Sequence, residues 1–171
     1  MNNIKINNIH RLKGINRSIQ QIKTTISLTP NYKKSEMCTW KKMGMIFNPL
    51  DVKGKSWLQE FAQAPSVLVF EEFVRVYFSC RLSADENGQY VSYSAYIDLN
   101  RKDLFEILSV SESPILKLGE LGTFDEFGTY PVSVIRHQDE VKAYYAGWTR
   151  CESVPFNVAI GFAVSKNEGR T

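Results

Sequence analysis

Apolar and polar side chains alternate in short runs over most of this chain, and that period predicts β-strands. Residues 89–99 show the pattern most clearly. One face of this strand would carry Val91, Tyr93, Ala95, Ile97 and Leu99, and the other Tyr90, Ser92, Ser94, Tyr96 and Asp98. Patterns with a helical period are nearly absent after residue 40, so we predict an all-β fold.

Turn signals divide the pattern into separate strands. Asn48-Pro49 should end a first strand, and the Asn-Gly pair within residues 85–88 accepts the positive φ values of a two-residue hairpin loop. The predicted strands are 43–47, 66–71, 73–80, 89–99 and 105–110, then 131–136, 141–149 and 157–165. The last strand has one large apolar face and one small face, which is typical of a sheet packed between two neighbours.

The strand pattern occurs twice. Pro65 opens a first unit and Pro131 a second, 66 residues later (131 − 65), and Tyr77 and Tyr144 repeat after 67 residues (144 − 77). Repeated antiparallel units bury their faces against neighbouring units. We therefore predict about two blades of a β-propeller. Because residues 166–171 have the composition of a hairpin turn, we also predict that the chain is the N-terminal fragment of a larger propeller.

Charge separates a leader from the strand-rich part. Residues 1–36 carry seven Lys or Arg and one acid, a net charge of +6, whereas residues 37–171 carry fourteen basic and seventeen acidic side chains, a net charge of −3. We expect 1–36 to be a basic extension, disordered or weakly helical, and 37–171 to hold the blades. The alternative for the extension is an arm for nucleic acid or a membrane surface, but we expect no nucleic-acid partner.

Composition excludes several classes of protein. No apolar run reaches the roughly 18 residues of a membrane span, and the N-terminus lacks the apolar core of a secretory signal. Cys38, Cys80 and Cys151 are odd in number and widely spaced, which favours reduced thiols in a cytoplasmic protein. Two isolated histidines and the lack of nucleotide or metal motifs predict no metal and no cofactor.

Two adjacent carboxylates precede the first strand of the second unit. Cleavage of a glycosidic bond requires two carboxyl groups on opposite sides of the bond. Since neighbours on an extended chain point apart, Asp125 and Glu126 cannot both belong to one such pair. We favour Asp125 as the catalytic candidate, because Phe124 and Phe127 would anchor the loop around it. A solvated acidic loop is the alternative.

Arginines and aromatic residues supply candidates for ligand binding. Arg81 and Arg150 end the second strand of each unit, where a guanidinium can hold a carboxylate or phosphate; a salt bridge between blades is the alternative. Arg75 lies mid-strand and needs either a buried carboxylate or a ligand anion as partner. Among the aromatic residues we favour Trp148 for stacking on a sugar, keep Tyr130 as a further candidate, and assign Trp57 and Tyr96 to the core. The candidate substrate-binding residues are Arg81, Trp148, Arg150, Arg75 and Glu126.

A family resemblance rests on seven segments of the chain. They are residues 40–44, 47–49, 62–66, 75–78, 122–131, 144–148 and 159–165. Across residues 40–171 they resemble an uncharacterised bacterial branch of the five-bladed β-propeller glycosidases, a superfamily that includes arabinanases, xylosidases, invertase-like enzymes and mannoside phosphorylases. The resemblance implies a partial five-bladed propeller that acts on a carbohydrate ligand and serves sugar or surface-polysaccharide metabolism.

The chain departs from the arabinanase pattern at the catalytic positions. Those enzymes carry an Asp before a Pro in each of the first two blades, where this chain has Ala64-Pro65 and Tyr130-Pro131, and their general-acid Glu lies in a later blade. We therefore expect glycoside hydrolase-like chemistry, hydrolysis or phosphorolysis, that is inactive at this chain length. The alternatives are a non-catalytic glycan-binding propeller and a protein-interaction scaffold.

Overall fold

A computed structural model describes residues 39–171 of the chain. The extension predicted over 1–36, its disorder or weak helicity, and the boundary at Met37 lie outside the described residues. Residues 39–43 are irregular, and Trp40 is 99% exposed. Gly44–Thr171 forms a compact unit of its own.

Seven strands form one open mixed sheet, and these strands are β1 (Glu60–Val69), β2 (Phe73–Arg81), β3 (Ser92–Asn100), β4 (Ile107–Val110), β5 (Gly128–His137), β6 (Glu140–Thr149) and β7 (Asn157–Ser165). The first four make an antiparallel meander, and the last three make a second one. A single parallel pair, Ser92 with Gly128, joins the two meanders. The all-β prediction is confirmed, and within residues 39–171 the only helical element is a short 3₁₀ turn at Pro49–Asp51.

The strand predicted over residues 43–47 is wrong. Gly44 has φ +133°, outside the extended region of an L-residue, and the segment pairs with no strand among the described residues. Phe47 instead fits its ring against Phe78, with 5.2 Å between the ring centroids. Phe47 thus packs on the core, whereas Met43, Met45 and Ile46 are exposed.

Both prolines of the sequence repeat lie beside an irregularity in the first strand of their meander. The β1–β2 register shifts between Gln63 and Ser66, around Pro65, and the β5–β6 register shifts between Pro131 and Ser133. Proline has no N–H to give to a ladder, so a strand that contains one tends to bulge there. Because the bulges in β1 interrupt the alternation, the sequence pattern missed the first six residues of this strand (66 − 60). It begins at Glu60 and not at the predicted residue 66.

The turn predicted at residues 85–88 forms, but at the tip of a longer connection. Gly88 has φ +72°, and the Asp85 side chain accepts the N–H groups of Asn87 and Gln89. Because β2 ends at Arg81 and β3 begins at Ser92, the connection is not the two-residue loop expected. Residues 89–91 lie in this connection, although the sequence pattern predicted them to begin the strand.

Two apolar clusters hold the unit together. The first covers the outer face of the first meander with Leu58, Phe78 and Ile97, and Trp57 packs against it. The second lies between the meanders, where Tyr77 meets Val134. Polar contacts cross the same boundary: Val134 donates its N–H to Ser66 Oγ at 3.1 Å, and the hydroxyls of Ser94 and Thr129 are 2.9 Å apart.

The two faces of β7 differ in their surroundings. The small face holds the buried Gly161, whereas the large face is exposed, with Ile160 at 67% and Phe162 at 53%. The prediction of a sheet packed on both sides is met on one side only within the described residues. No helix among these residues is long and apolar enough to cross a membrane.

Candidate functional site

A cavity of about 640 Å³ opens where β2 and β6 end and where β3, β5 and β7 begin. Residues from both meanders line it, and they are Arg81, Gln89, Tyr90, Tyr130, Trp148, Arg150, Cys151, Pro155, Phe156 and Val158. Three of the five predicted substrate-binding residues, Arg81, Trp148 and Arg150, thus meet in one place. The sequence repeat explains this, because Arg81 ends β2 and Arg150 follows β6 directly.

Arg81 is held by aromatic side chains. Its Nη2 donates a hydrogen bond of 2.8 Å to the Tyr130 hydroxyl, which also lies 3.2 Å from Ser92 Oγ. The guanidinium carbon lies 5.4 Å from the Phe61 ring centroid and 5.1 Å from that of Tyr90. Attraction between a cation and the π-face of each ring fixes the direction of the guanidinium.

Arg150 is fixed in a similar way. Its guanidinium carbon lies 4.0 Å from the Phe127 ring centroid, and its Nη2 donates a 2.9 Å hydrogen bond to the Tyr90 carbonyl. Tyr90 therefore contacts both arginines, one through its ring and the other through its backbone. The two cations belong to one connected group of side chains.

The Trp148 indole packs close to the backbone at the start of β5. A methyl group on Gly128 would overlap the indole, so only glycine fits beside this ring. Phe127 is a further neighbour, with 6.0 Å between its ring centroid and that of Trp148. Trp148 Nε1 is buried and has no hydrogen-bond partner among the described residues.

Asp125 and Glu126 diverge as expected, although residues 121–127 form turns and not the extended chain on which that expectation rested. Asp125 is 8% exposed and accepts a 2.9 Å hydrogen bond from the Tyr145 hydroxyl, whereas Glu126 Oε2 accepts the N–H of Gly122 at 2.7 Å. Burial, and then the Asp125 carboxylate, raise the pKa of Tyr145 to about 12. Neither carboxylate lines the cavity that holds the arginines.

Arg75 is satisfied inside the fold. It is fully buried, and its Nε and Nη2 donate to Asp98 at 2.6 and 2.7 Å. Nη1 donates to the Glu168 carbonyl at 2.9 Å, and the guanidinium carbon lies 3.9 Å from the Tyr96 ring centroid. Of the two partners considered for Arg75, the structure contains the buried carboxylate.

Sequence reasoning missed several residues of the cavity. Gln89 and Tyr90 follow the turn at 85–88, and Phe156 lies just ahead of β7. Their common signal is position, since each lies in the connection that precedes a strand at the same end of the sheet. Among residues 39–171, no group of three His, Cys, Asp or Glu could hold a metal ion.

No protein-family model matches the chain. Two curated relatives are uncharacterised proteins of Mycobacterium tuberculosis, from strains CDC 1551 / Oshkosh and ATCC 25618 / H37Rv. Each is 33% identical over 129 residues, a match that covers 74% of this chain and 40% of the relative. The chain thus spans about two fifths of the length of these relatives.

A solved structure with a weak likeness is a candidate glycoside hydrolase from Bacteroides ovatus. The match has a TM-score of 0.39 and 15% sequence identity, and it covers 55% of this chain and 29% of the other. A likeness at that level carries no weight for the fold or for the function.

Proposed function

We propose that this chain belongs to a carbohydrate-active protein of the propeller type and that its cavity binds a sugar. The observation that carries the proposal is the cavity itself, where Arg81, Trp148 and Arg150 meet. Support for the propeller comes from the two meanders, which pack on each other through Tyr77 and Val134 and each begin with a proline-bulged strand.

A sugar matches the lining of this cavity. Its volume of about 640 Å³ lies within the roughly 300–1,000 Å³ that small-molecule sites occupy. The C–H face of a sugar ring packs on an aromatic surface, which Trp148 and Tyr130 supply. The hydroxyls at the ring edge need donors and acceptors, which the Tyr130 hydroxyl, the Gln89 amide and the guanidinium groups provide.

Calorimetric titration of the 171-residue chain with a panel of neutral and acidic oligosaccharides tests this proposal. We expect at least one sugar to bind, and Trp148→Ala to weaken it about tenfold or more, since a stacking face is lost. Trp40→Ala is the matched control, because Trp40 is exposed and absent from the cavity lining. Binding of no sugar, or equal losses in both variants, would overturn the proposal.

A more specific version of the proposal is that the protein cleaves its sugar as a glycoside hydrolase does, with Asp125 as the general acid or base. Its burial and the hydrogen bond from Tyr145 are typical of a positioned carboxylate. Cleavage requires two carboxyl groups that flank the bond. Among residues 39–171 the cavity lining contains neither, since Asp125 itself lies outside it. Binding without cleavage, as in a non-catalytic glycan-binding propeller, is therefore the behaviour that we expect from this cavity lining.

Aryl glycosides, which release a coloured phenol when cleaved, distinguish turnover from binding alone. If the chain cleaves one, Asp125→Asn should lower kcat by about a hundredfold or more, the usual contribution of general acid–base catalysis. Asp139→Asn is the control, because Asp139 lies exposed in the turn between β5 and β6. Turnover that is unchanged by Asp125→Asn would exclude Asp125 as the catalytic group.

A further inference from the structure

We infer that the cavity is an anion site and that its ligand is an acidic carbohydrate, whose carboxylate or phosphate is held by Arg81 and Arg150. The carbohydrate part rests on the proposed function. The anionic part rests on the charges and hydrogen bonds of the cavity alone.

Among the described residues, the cavity lining contains two cationic side chains and no anionic one. Arg81 and Arg150 line it, and no Asp or Glu is among the lining residues. Within residues 39–171, neither arginine forms a salt bridge. The salt bridge between blades, which was the alternative for these two residues, is therefore not found in the described part of the chain.

Among residues 39–171, most N–H donors of these arginines have no protein acceptor. A guanidinium has five N–H groups. Arg81 gives one hydrogen bond to a phenol and Arg150 gives one to a backbone carbonyl, both uncharged acceptors. Arg81 Nε is also buried and unpaired among the described residues. Buried donors of this kind cost free energy until they meet an acceptor, and an anion would supply several.

The two guanidinium groups are also preorganised. Stacking on Phe61 and Tyr90 holds Arg81, and stacking on Phe127 holds Arg150. Side chains that are already fixed lose little conformational entropy when a ligand binds. The planar fork of a fixed guanidinium suits two-point contact with a carboxylate or phosphate.

Arg75 provides an internal comparison. This buried arginine donates hydrogen bonds from two of its nitrogens to the carboxylate of Asp98. The fold therefore neutralises an arginine with its own carboxylate where the cation is structural. No carboxylate among the described residues pairs with Arg81 or Arg150, which is the arrangement expected of a site for an external anion.

The test compares a neutral sugar with its charged counterparts. Glucose, glucuronate, glucose 1-phosphate and inorganic phosphate are titrated into the full chain by calorimetry. We expect one of the two acidic sugars to bind about tenfold or more tightly than glucose, because charge-assisted hydrogen bonds are roughly twice as strong as neutral ones. Glucuronate and glucose 1-phosphate distinguish a carboxylate site from a phosphate site.

Four arginine variants, one of them a control, test the assignment. Arg81→Gln and Arg150→Gln should each remove most of the preference for the acidic sugar. Arg101→Gln is the control, because Arg101 is exposed and, within residues 39–171, donates to backbone carbonyls near the turn between β1 and β2. Arg81→Lys keeps the charge but loses the planar fork, so it should recover part of the affinity.

Cys151 gives a second measurement at the cavity. It is exposed and lines the cavity, whereas Cys80 is buried and its burial raises the pKa of that thiol to about 12. In a Cys38→Ser background, maleimide labelling should therefore report on Cys151. Bound acidic sugar should slow the labelling of Cys151, and glucose at the same concentration should not.

The outcomes separate the two proposals. Equal binding of glucose and both acidic sugars would overturn the anion site and leave the sugar proposal intact. Binding of inorganic phosphate that depends on Arg81, without binding of any sugar, would support the anion site and overturn the sugar. Binding that Arg81→Gln and Arg150→Gln leave unchanged would overturn the assignment, provided that the variants show the circular dichroism of the unaltered chain.

Discussion

Removal of the Asp98 carboxylate should be one of the most destabilising single changes in the described chain. Arg75 is fully buried, with Nε and Nη2 each within 2.7 Å of an Asp98 oxygen, and Ser109 Oγ donates to the same carboxylate at 3.0 Å. Asp98→Ala would leave the guanidinium charge buried without an anion. Breaking a buried pair in this way costs about 3–5 kcal/mol.

Urea unfolding followed by tryptophan fluorescence measures this cost. With a slope of about 2 kcal/mol per molar urea, Asp98→Ala should lower the midpoint by about 2 M. The double variant Arg75→Met/Asp98→Leu replaces both charges with apolar groups of similar volume, and should recover most of the loss. Should the single variant fail to fold, the double variant still tests the reasoning.

The control is an exposed pair elsewhere in the same unit. Lys142 and Glu140 are 3.7 Å apart and partly solvated, so Glu140→Gln should change the free energy of unfolding by less than about 1 kcal/mol. An Asp98→Ala cost below about 1 kcal/mol, or a double variant as unstable as the single one, would refute the structural role of the Arg75–Asp98 pair.

Four further predictions follow from particular contacts. Gly161→Ala places a methyl group on the Tyr145 ring and should lower the free energy of unfolding by about 1–3 kcal/mol in urea titration; an unchanged midpoint would contradict that contact. Cys151 should react with a disulfide reagent in the folded chain, and Cys80 only after unfolding; equal rates would mean that Cys80 is accessible. The pKa of Tyr145 rises from 10.0 to about 12 on folding, so the protonated phenol contributes fully to stability below pH 10, and this contribution is lost as pH rises through 12. Tyr145→Phe should therefore remove this loss of stability in urea titrations from pH 8 to 12. The exposed apolar face of β7 should cause the chain to self-associate, and Phe162→Glu should reduce this in light scattering; no change would show that this face does not drive self-association.

The regular part of the fold was predictable because strands have a strict period of two. The alternation over 89–99 predicts both faces of β3, and the structure buries Ala95 and Ile97 on one face and Ser92 and Ser94 on the other. Strand pairing places equivalent residues at the same end of the sheet. The meeting of Arg81 with Arg150 therefore followed from the sequence repeat.

The irregular part of the fold could not be predicted, because it lacks that period of two. Bulges break the period of two, so the start of β1 at Glu60 was missed. The segment 43–47 has the composition of a strand but finds no partner strand among the described residues. Tyr90 and Phe156 reach the cavity from connections, where no periodicity indicates which way a side chain faces.

The position of Asp125 relative to the arginines also depends on tertiary structure. Sequence order places Asp125 near β5, but only the fold shows that its carboxylate meets Tyr145 while the cavity lies among other residues. Its catalytic role stays a prediction.

A crystal structure of the chain with its tightest-binding acidic sugar tests the central claim most directly. We predict that the sugar lies in the cavity against Trp148, with its carboxylate or phosphate within hydrogen-bond distance of Arg81 and Arg150. A sugar bound elsewhere, or bound in this cavity with its anionic group turned away from both arginines, would contradict the account.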